Sequence, residues 1–166
     1  MRGRGQLTQT RLRIRRAIAS DRPFLEDVHV AALGPVALVG YGWTAERLRA
    51  QFRREVALAN CFVIAVTSWP MAAPGYAPGD PRDAGYISIE DRATSWYIDA
   101  FAIAPRFQRH GIGAAAMRVV LDDAGGTPVR LTVLRTNRAR SPYLRLGFRV
   151  VGGDAHREHM EWQRGA

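Results

Sequence analysis

Apolar residues alternate with arginine through Leu12-Arg13-Ile14-Arg15, a period of two that predicts a strand with one buried face. The period then lengthens. Ser20-Asp21 offers an N-cap with Pro23 in the first turn, and Phe24, Leu25, Val28 and Ala32 mark one face of a helix that Gly34-Pro35 is expected to end. Thr44 caps a second helix, because Leu48, Phe52 and Val56 recur at i, i+4 and i+8 while Arg47, Arg49, Arg53 and Arg54 take the wet side. Phe62 to Val66 is a continuous apolar run of strand length.

Residues 67–84 hold Pro70, Pro74, Pro78 and Pro81 with Gly75 and Gly79, so a long surface loop is expected there. Tyr86–Ile89 and Trp96–Ile103 read as strands. Gly113–Ala124 reads as a helix with Met117, Val120, Leu121 and Ala124 on its core face, ended by Gly125-Gly126. Val129, Leu131 and Val133 alternate with Arg130 and Thr132 in a further strand, a short helical turn follows near Tyr143, and Phe148–Val151 with His156–Trp162 close the chain as an antiparallel pair. The order βααβββαβαββ implies an α/β fold: a mixed, mostly antiparallel sheet of about seven strands flanked by helices.

These elements occupy 166 residues, the size of one domain, and 47% apolar content is enough for a packed core and too much for wholesale disorder. All 24 basic residues are arginine, against 15 acids. Six of them, Arg2, Arg4, Arg11, Arg13, Arg15 and Arg16, fall in the first sixteen positions with no acid among them, leaving 18 against 15 and a net +3 for the rest. Residues 1–10 are therefore expected to form a basic flexible arm on a single domain spanning 11–166. The charge-free run Val28 to Ala45 contains Gly34, Pro35, Gly40 and Gly42 and makes a poor membrane span, and no secretory h-region follows the basic start, so a cytoplasmic protein without membrane partners is expected. Cys61, the sole cysteine, sits in an apolar run and excludes a disulfide scaffold.

The stretch Ile103-Ala104-Pro105-Arg106-Phe107-Gln108-Arg109-His110-Gly111-Ile112-Gly113 carries a strand through a glycine-bearing turn into a helix. Amides at a helix start lack internal partners and sit at the positive end of the dipole, which suits phosphate oxygens; a purely structural turn has the same look. The Gln-x-x-Gly-x-Gly spacing lacks the first glycine of a dinucleotide fingerprint and the Lys-Ser/Thr end of a P-loop. A second element is Asn137-Arg138-Ala139 followed by Tyr143-Leu144-Arg145-Leu146-Gly147-Phe148, in which Asn137 also reads as a cap and Tyr143 as a packed aromatic.

Together the two elements, in this order and context, resemble the GNAT superfamily of acetyl-CoA-dependent N-acyltransferases, and the resemblance covers nearly the whole chain. Gly40-Tyr41-Gly42-Trp43 and His159-Met160-Glu161-Trp162 are similar to a bacterial subgroup whose substrates are mostly unassigned. The resemblance implies that Phe101, Ala102 and Ile103 offer backbone groups to a pantetheine arm, and that Gln108, Arg109, His110, Gly111, Ile112, Gly113 and Ala114 hold the pyrophosphate of acetyl-CoA. It implies that Asn137 hydrogen-bonds the same cofactor and that Tyr143 protonates the departing thiolate. Direct attack by an amine then needs a base. Asp99, on the strand face of Phe101 and Ile103, is the first candidate, and Glu90 the second; each also reads as a carboxylate paired with an arginine. Pro142 departs from the family pattern, and Ser141 as N-cap with Pro142 at the first helical position would accommodate it.

The expected activity is acetyl transfer to a primary amine of a small molecule or peptide. The alternative is a non-catalytic CoA-binding or nucleic-acid-associated module. Nucleic acid is disfavoured, because no aromatic is interleaved in the arginine arm before Phe24 and the body is only mildly basic. The 67–84 insertion reads equally as a substrate lid or tolerated surface, and a homodimer stays open. Tyr41, Trp43, Phe52, Trp69 and Trp96 are candidate walls of the acceptor site, with core packing as their other reading.

Overall fold

The computed structural model describes residues 7–9, 12–66 and 82–165. Among them, eight strands form one sheet: β1 (Leu7–Gln9), β2 (Leu12–Arg16), β3 (Cys61–Val66), β4 (Arg82–Arg92), β5 (Ser95–Ile103), β6 (Val129–Leu134), β7 (Arg149–Gly153) and β8 (Arg157–Trp162). Their order is β1-β2-β3-β4-β5-β6-β8-β7, and only β5 and β6 run parallel. Four helices accompany them: α1 (Arg22–Tyr41), α2 (Ala45–Glu55), α3 (Ile112–Ala124) and α4 (Arg140–Arg145). This is the expected mixed α/β architecture. The eighth strand comes from residues assigned by composition to a flexible arm, where Leu7 pairs with Ile14 and Gln9 with Leu12.

Every residue of β3 is buried, as is β4 from Ala84 to Ile89, because both faces of the sheet centre are covered. Helix α1 packs on β4 and β5, while α3 packs against β2 and β5. No helix among the described residues is long and apolar enough to cross a membrane.

Three local expectations are corrected. Helix α1 does not stop at Gly34-Pro35 but runs on to Tyr41. Proline holds a helical φ, so within the helix it forfeits one hydrogen bond and crowds one carbonyl, a cost of roughly 3 kcal/mol that need not end the helix. The end is made by Gly42, whose left-handed φ of 62° lets its N–H reach the Leu38 carbonyl at 2.9 Å. At the other end Asp21 makes no side-chain cap. Its carboxylate instead clamps the Arg15 guanidinium at 2.7 and 2.9 Å and accepts the Ile18 N–H at 2.8 Å, tying β2 to α1.

Helix α4 starts at Arg140, with Pro142 as its third residue and no Ser141 cap. Ala139 is the N-cap and makes no side-chain cap; Asn137 forms a turn just before the helix, its Oδ1 accepting the Ala139 N–H at 2.9 Å and its carbonyl the Arg140 N–H at 3.0 Å. Proline is tolerated there because first-turn N–H groups have no intrahelical partner to lose. The expected 67–84 loop lies outside the described residues, except for Arg82–Ala84, which open β4.

Candidate active site

Strands β5 and β6 pair only from Trp96 opposite Val129 to Ile98 opposite Leu131, and then part. On its other flank β5 stays paired with β4 as far as Ile103 opposite Gly85. Among the described residues no strand lies beside the outward backbone groups of residues 99–103, which face a fork and, apart from the Ile103 carbonyl held by Gln108, can bond an extended ligand. At the mouth of the fork the β4–β5 register slips: Ser88 opposes Ala100 and Ile89 opposes Ile98, so Asp99 is an extra residue. Such bulges re-aim a side chain out of the strand's alternation.

The fork opens into a cleft of about 250 Å³ that brings together Asp99, Phe101, Asn137 and Tyr143. Asp99 accepts no hydrogen bond and makes no ion pair among the described residues. Desolvation, then the neighbouring Glu90 and Glu55, raise its carboxyl above the ordinary aspartate value against the pull of Arg92. Glu90 is differently placed. Its Oε2 accepts from Arg92 at 2.7 and 3.1 Å, and it does not line the cleft. Tyr143 is buried edge-on against Phe148 at 5.6 Å, and burial pushes its hydroxyl up to about 12, which keeps the proton on as a donor at neutral pH.

Past Ile103 the chain turns under a side-chain bond from Gln108 Nε2 to the Ile103 carbonyl at 2.7 Å. Arg109 (φ 65°) and Gly111 (φ 78°) take left-handed backbone, and α3 follows at once. The Ala115 N–H bonds the Gly111 carbonyl at 2.9 Å, so the amides of Ile112, Gly113 and Ala114 precede the helical ladder and have no carbonyl within it to bond. Arg109 and His110 are exposed there, His110 Nδ1 lying 3.0 Å from the Gln108 carbonyl. A Cβ on Gly113 would lie 3.6 Å from both Phe101 Cζ and Ile103 Cγ1, so the start of α3 abuts the end of β5 and the turn is continuous with the fork. Unpaired amides at the turn and an unpaired strand edge at the fork fit the pyrophosphate and the pantetheine amides of coenzyme A in turn.

Sequence reasoning missed His29, Gln51, Glu55 and Tyr86, which also line the cleft. His29 is only 6% exposed; its Nδ1 lies 2.6 Å from the Tyr86 hydroxyl, and its Nε2 has no hydrogen-bond partner among the described residues. Burial pushes the imidazole down to about 4, against an opposing influence from Glu55, so it is neutral at pH 7. The available signal was a polar residue on the apolar face of Leu25, Val28 and Ala32. Of the expected aromatic walls Phe52 lines the cleft, Trp96 is buried away from it, and Trp43 stacks under Arg47 at 4.8 Å. Trp69 and the side chain of Tyr41 lie outside the described residues. Cys61 is buried, and burial pushes its thiol up to about 11, away from reactivity.

An acetyltransferase (GNAT) domain model matches residues 77–164, more than half of the sequence. The chain belongs to the GNAT acetyltransferase family. Solved structures share the fold at low identity. PH1933 from Pyrococcus horikoshii OT3 aligns with a TM-score of 0.66 and 18% identity over 93% of this chain and 99% of its own. The PaiA N-acetyltransferase from Thermoplasma acidophilum, solved with coenzyme A, aligns with 0.62 and 18% over 92% and 98%. The ribosomal-protein-S18-alanine N-acetyltransferase from Escherichia coli aligns with 0.59 and 16% over 92% and 93%. No curated protein matches the sequence. As a GNAT acetyltransferase, the chain has its turn and its fork within the matched segment, while His29, Gln51 and Glu55 come from helices before it.

Proposed function

We propose that this GNAT domain moves an acetyl group from acetyl-CoA to a primary amine of a small molecule or peptide. The observation that carries the reading is the fork, where Asp99, Tyr143 and Asn137 converge at the end of an unpaired strand edge that leads to the α3 turn. The coenzyme A complex of the Thermoplasma neighbour and the N-acetyl transfer named for two neighbours support it. Residues 11–166 form the catalytic unit, to which Leu7–Gln9 adds an edge strand.

Amides from Arg109 to Ala114 hold the pyrophosphate, with the Arg109 side chain beside them, the Gln108 N–H being spent on the Pro105 carbonyl at 3.1 Å; the backbone edge at Phe101, Ala102 and Ile103, apart from the Ile103 carbonyl that Gln108 holds, aligns the pantetheine. Asn137 spends its Oδ1 on Ala139 and keeps its NH₂ for the cofactor. The amine nitrogen attacks the thioester carbon; the C–N bond forms as the C–S bond breaks. Asp99 accepts the proton that the ammonium loses before attack, directly or through one water; Tyr143 donates its proton to the departing sulfur and is reprotonated by the second proton that the acylated nitrogen sheds as it becomes the amide. Glu90, held by Arg92, takes no part in this scheme.

Thiol release from acetyl-CoA across a panel of amines tests the reading. Tyr143→Phe should lower kcat by about 10²-fold while leaving acetyl-CoA affinity intact. Tight cofactor binding with no release on any amine would favour a non-catalytic CoA-binding module.

A further inference from the structure

The chain carries 24 arginines and a net charge of +9, yet no arginine is among the described residues that line the fork cleft. Its charged lining groups are two carboxylates: Asp99 at the β5 bulge and Glu55 at the end of α2. The two feel one another, since Glu55 contributes to raising the Asp99 carboxyl. Glu55 is partly engaged, its Oε1 with Arg54 at 2.7 Å and its Oε2 with Gln51 at 2.8 Å. Arg54 is a solvated neighbour on the same helix, and a carboxylate with one bond on each oxygen retains acceptor capacity on both.

His29 is an independent pointer to a ligand. It is buried, lines the cleft and leaves Nε2 without a partner among the described residues, where nearly all buried polar atoms in proteins have one. In the tautomer whose Nδ1–H donates to the Tyr86 oxygen, Nε2 carries a lone pair and can accept from an ammonium N–H. A neutral imidazole and a carboxylate close enough to influence it suit a cation, and Asp99, in the same cleft, suits a second one.

Building on the transferase reading above, we propose that the acceptor is a compact dication, a short aliphatic primary amine with a second ammonium group a few carbons away. The reacting nitrogen delivers its proton to Asp99, and the distal ammonium is held by Glu55 and His29 Nε2. The cleft volume of about 250 Å³ favours a small acceptor over a bulky one. Acetylation removes one of the two charges, so the product loses its hold at Asp99 and leaves.

Three probes of similar length separate the charges: 1,4-diaminobutane, n-butylamine and 4-aminobutanoate. In the wild type kcat/KM should fall in that order. In Glu55→Gln the preference for the diamine over n-butylamine should shrink roughly fivefold, the upper range for a solvent-facing ion pair. An undiminished preference, or 4-aminobutanoate used as well as the diamine, overturns the proposal. Calorimetry of 1,4-diaminobutane with the CoA-loaded protein distinguishes the two readings. Binding that Glu55→Gln weakens, without turnover, upholds the dication subsite and sinks the transferase reading. Turnover of n-butylamine with no diamine preference does the reverse.

Discussion

His29 Nδ1 and the Tyr86 hydroxyl meet at 2.6 Å inside the protein, so α1 and β4 share a buried polar contact that neither element needs for its own backbone. Phe52 of α2 packs on both rings, at 5.2 and 5.6 Å between centroids. This dry setting holds the imidazole at about 4 instead of 6.5, with Glu55 opposing the shift. Between those values the unfolded chain binds a proton that the folded chain refuses. The stability this represents is complete above pH 6.5 and is lost as pH falls toward 4, amounting to about 3 kcal/mol. Urea midpoints measured from pH 7 to 4.5 should fall, and His29→Gln should flatten the slope. The same slope in the variant would assign it to other groups.

Asp99 sits on the opposite side of the linkage. Its carboxyl is raised in the folded state, first by desolvation and then by Glu90 and Glu55. The folded chain therefore holds this proton more tightly than the unfolded chain, and the stability so gained is lost as pH rises through the raised value. Above that value the ionised side chain costs the fold stability. Asp99→Asn should lower kcat/KM by about 10²-fold and remove the acidic limb of its pH profile, with Tm at pH 7 unchanged or higher. A fall in both activity and Tm would indicate damage to the bulge instead of loss of a base.

The two glycines of the turn should behave differently. Gly111 has φ 78°, and an alanine there is strained by roughly 1 kcal/mol wherever the cofactor sits. Gly113 has ordinary backbone, and an added methyl would make normal contacts at 3.6 Å with Phe101 and Ile103. Gly111→Ala is thus expected to lower Tm and acetyl-CoA affinity together. On the proposed reading, in which the phosphates meet this helix start, Gly113→Ala should leave Tm near that of the wild type and weaken acetyl-CoA binding alone. Undisturbed binding in Gly113→Ala would move the pyrophosphate off this helix start.

The strand, turn and helix from Ile103 to Gly113, and the segment that carries Asn137 and Tyr143 to the cleft, were legible because their signals are local: glycine spacing, a strand feeding a helix, a tyrosine before Gly-Phe. Strands β2 and β6 were legible from alternation and β3 from a continuous apolar run, whereas the three residues of β1 carry too little pattern to register. Helix α1 was cut short because Pro35 is a strong local signal, and the cap at Gly42 that overrides it lies seven residues on. The bulge at Asp99 and the early parting of β5 from β6 are matters of register between strands, which no single segment encodes. His29 and Glu55 reach the cleft only through the packing of α1 and α2 on β4 and β5, so their roles had no sequence neighbour to announce them.

Glu158 of β8 joins the two ends of the segment that carries Asn137. Its side chain, 4% exposed, accepts from Arg135 Nη1 at 2.8 Å, just past β6, and from Arg140 Nε at 2.6 Å, at the start of α4. Arg135 also donates from Nε to the Asp154 carbonyl at 2.9 Å. Arg140, foremost, holds the Glu158 carboxyl below the usual glutamate range, so the clamp is charged at neutral pH. Neither arginine nor Glu158 lines the cleft, so any effect of Glu158 on the reaction runs through the 135–140 segment. With Glu158→Gln, one of the two guanidinium partners is lost and the 135–140 segment loosens. Small misplacements of reacting groups cost up to about 10²-fold in rate, so kcat should fall, and acetyl-CoA affinity should weaken with it because Asn137 moves. Glu158→Asp, which keeps the charge, should recover part of both. Were the role only to stabilise the sheet, Glu158→Gln would lower Tm yet leave acetyl-CoA affinity and kcat unaltered at a temperature well below the transition.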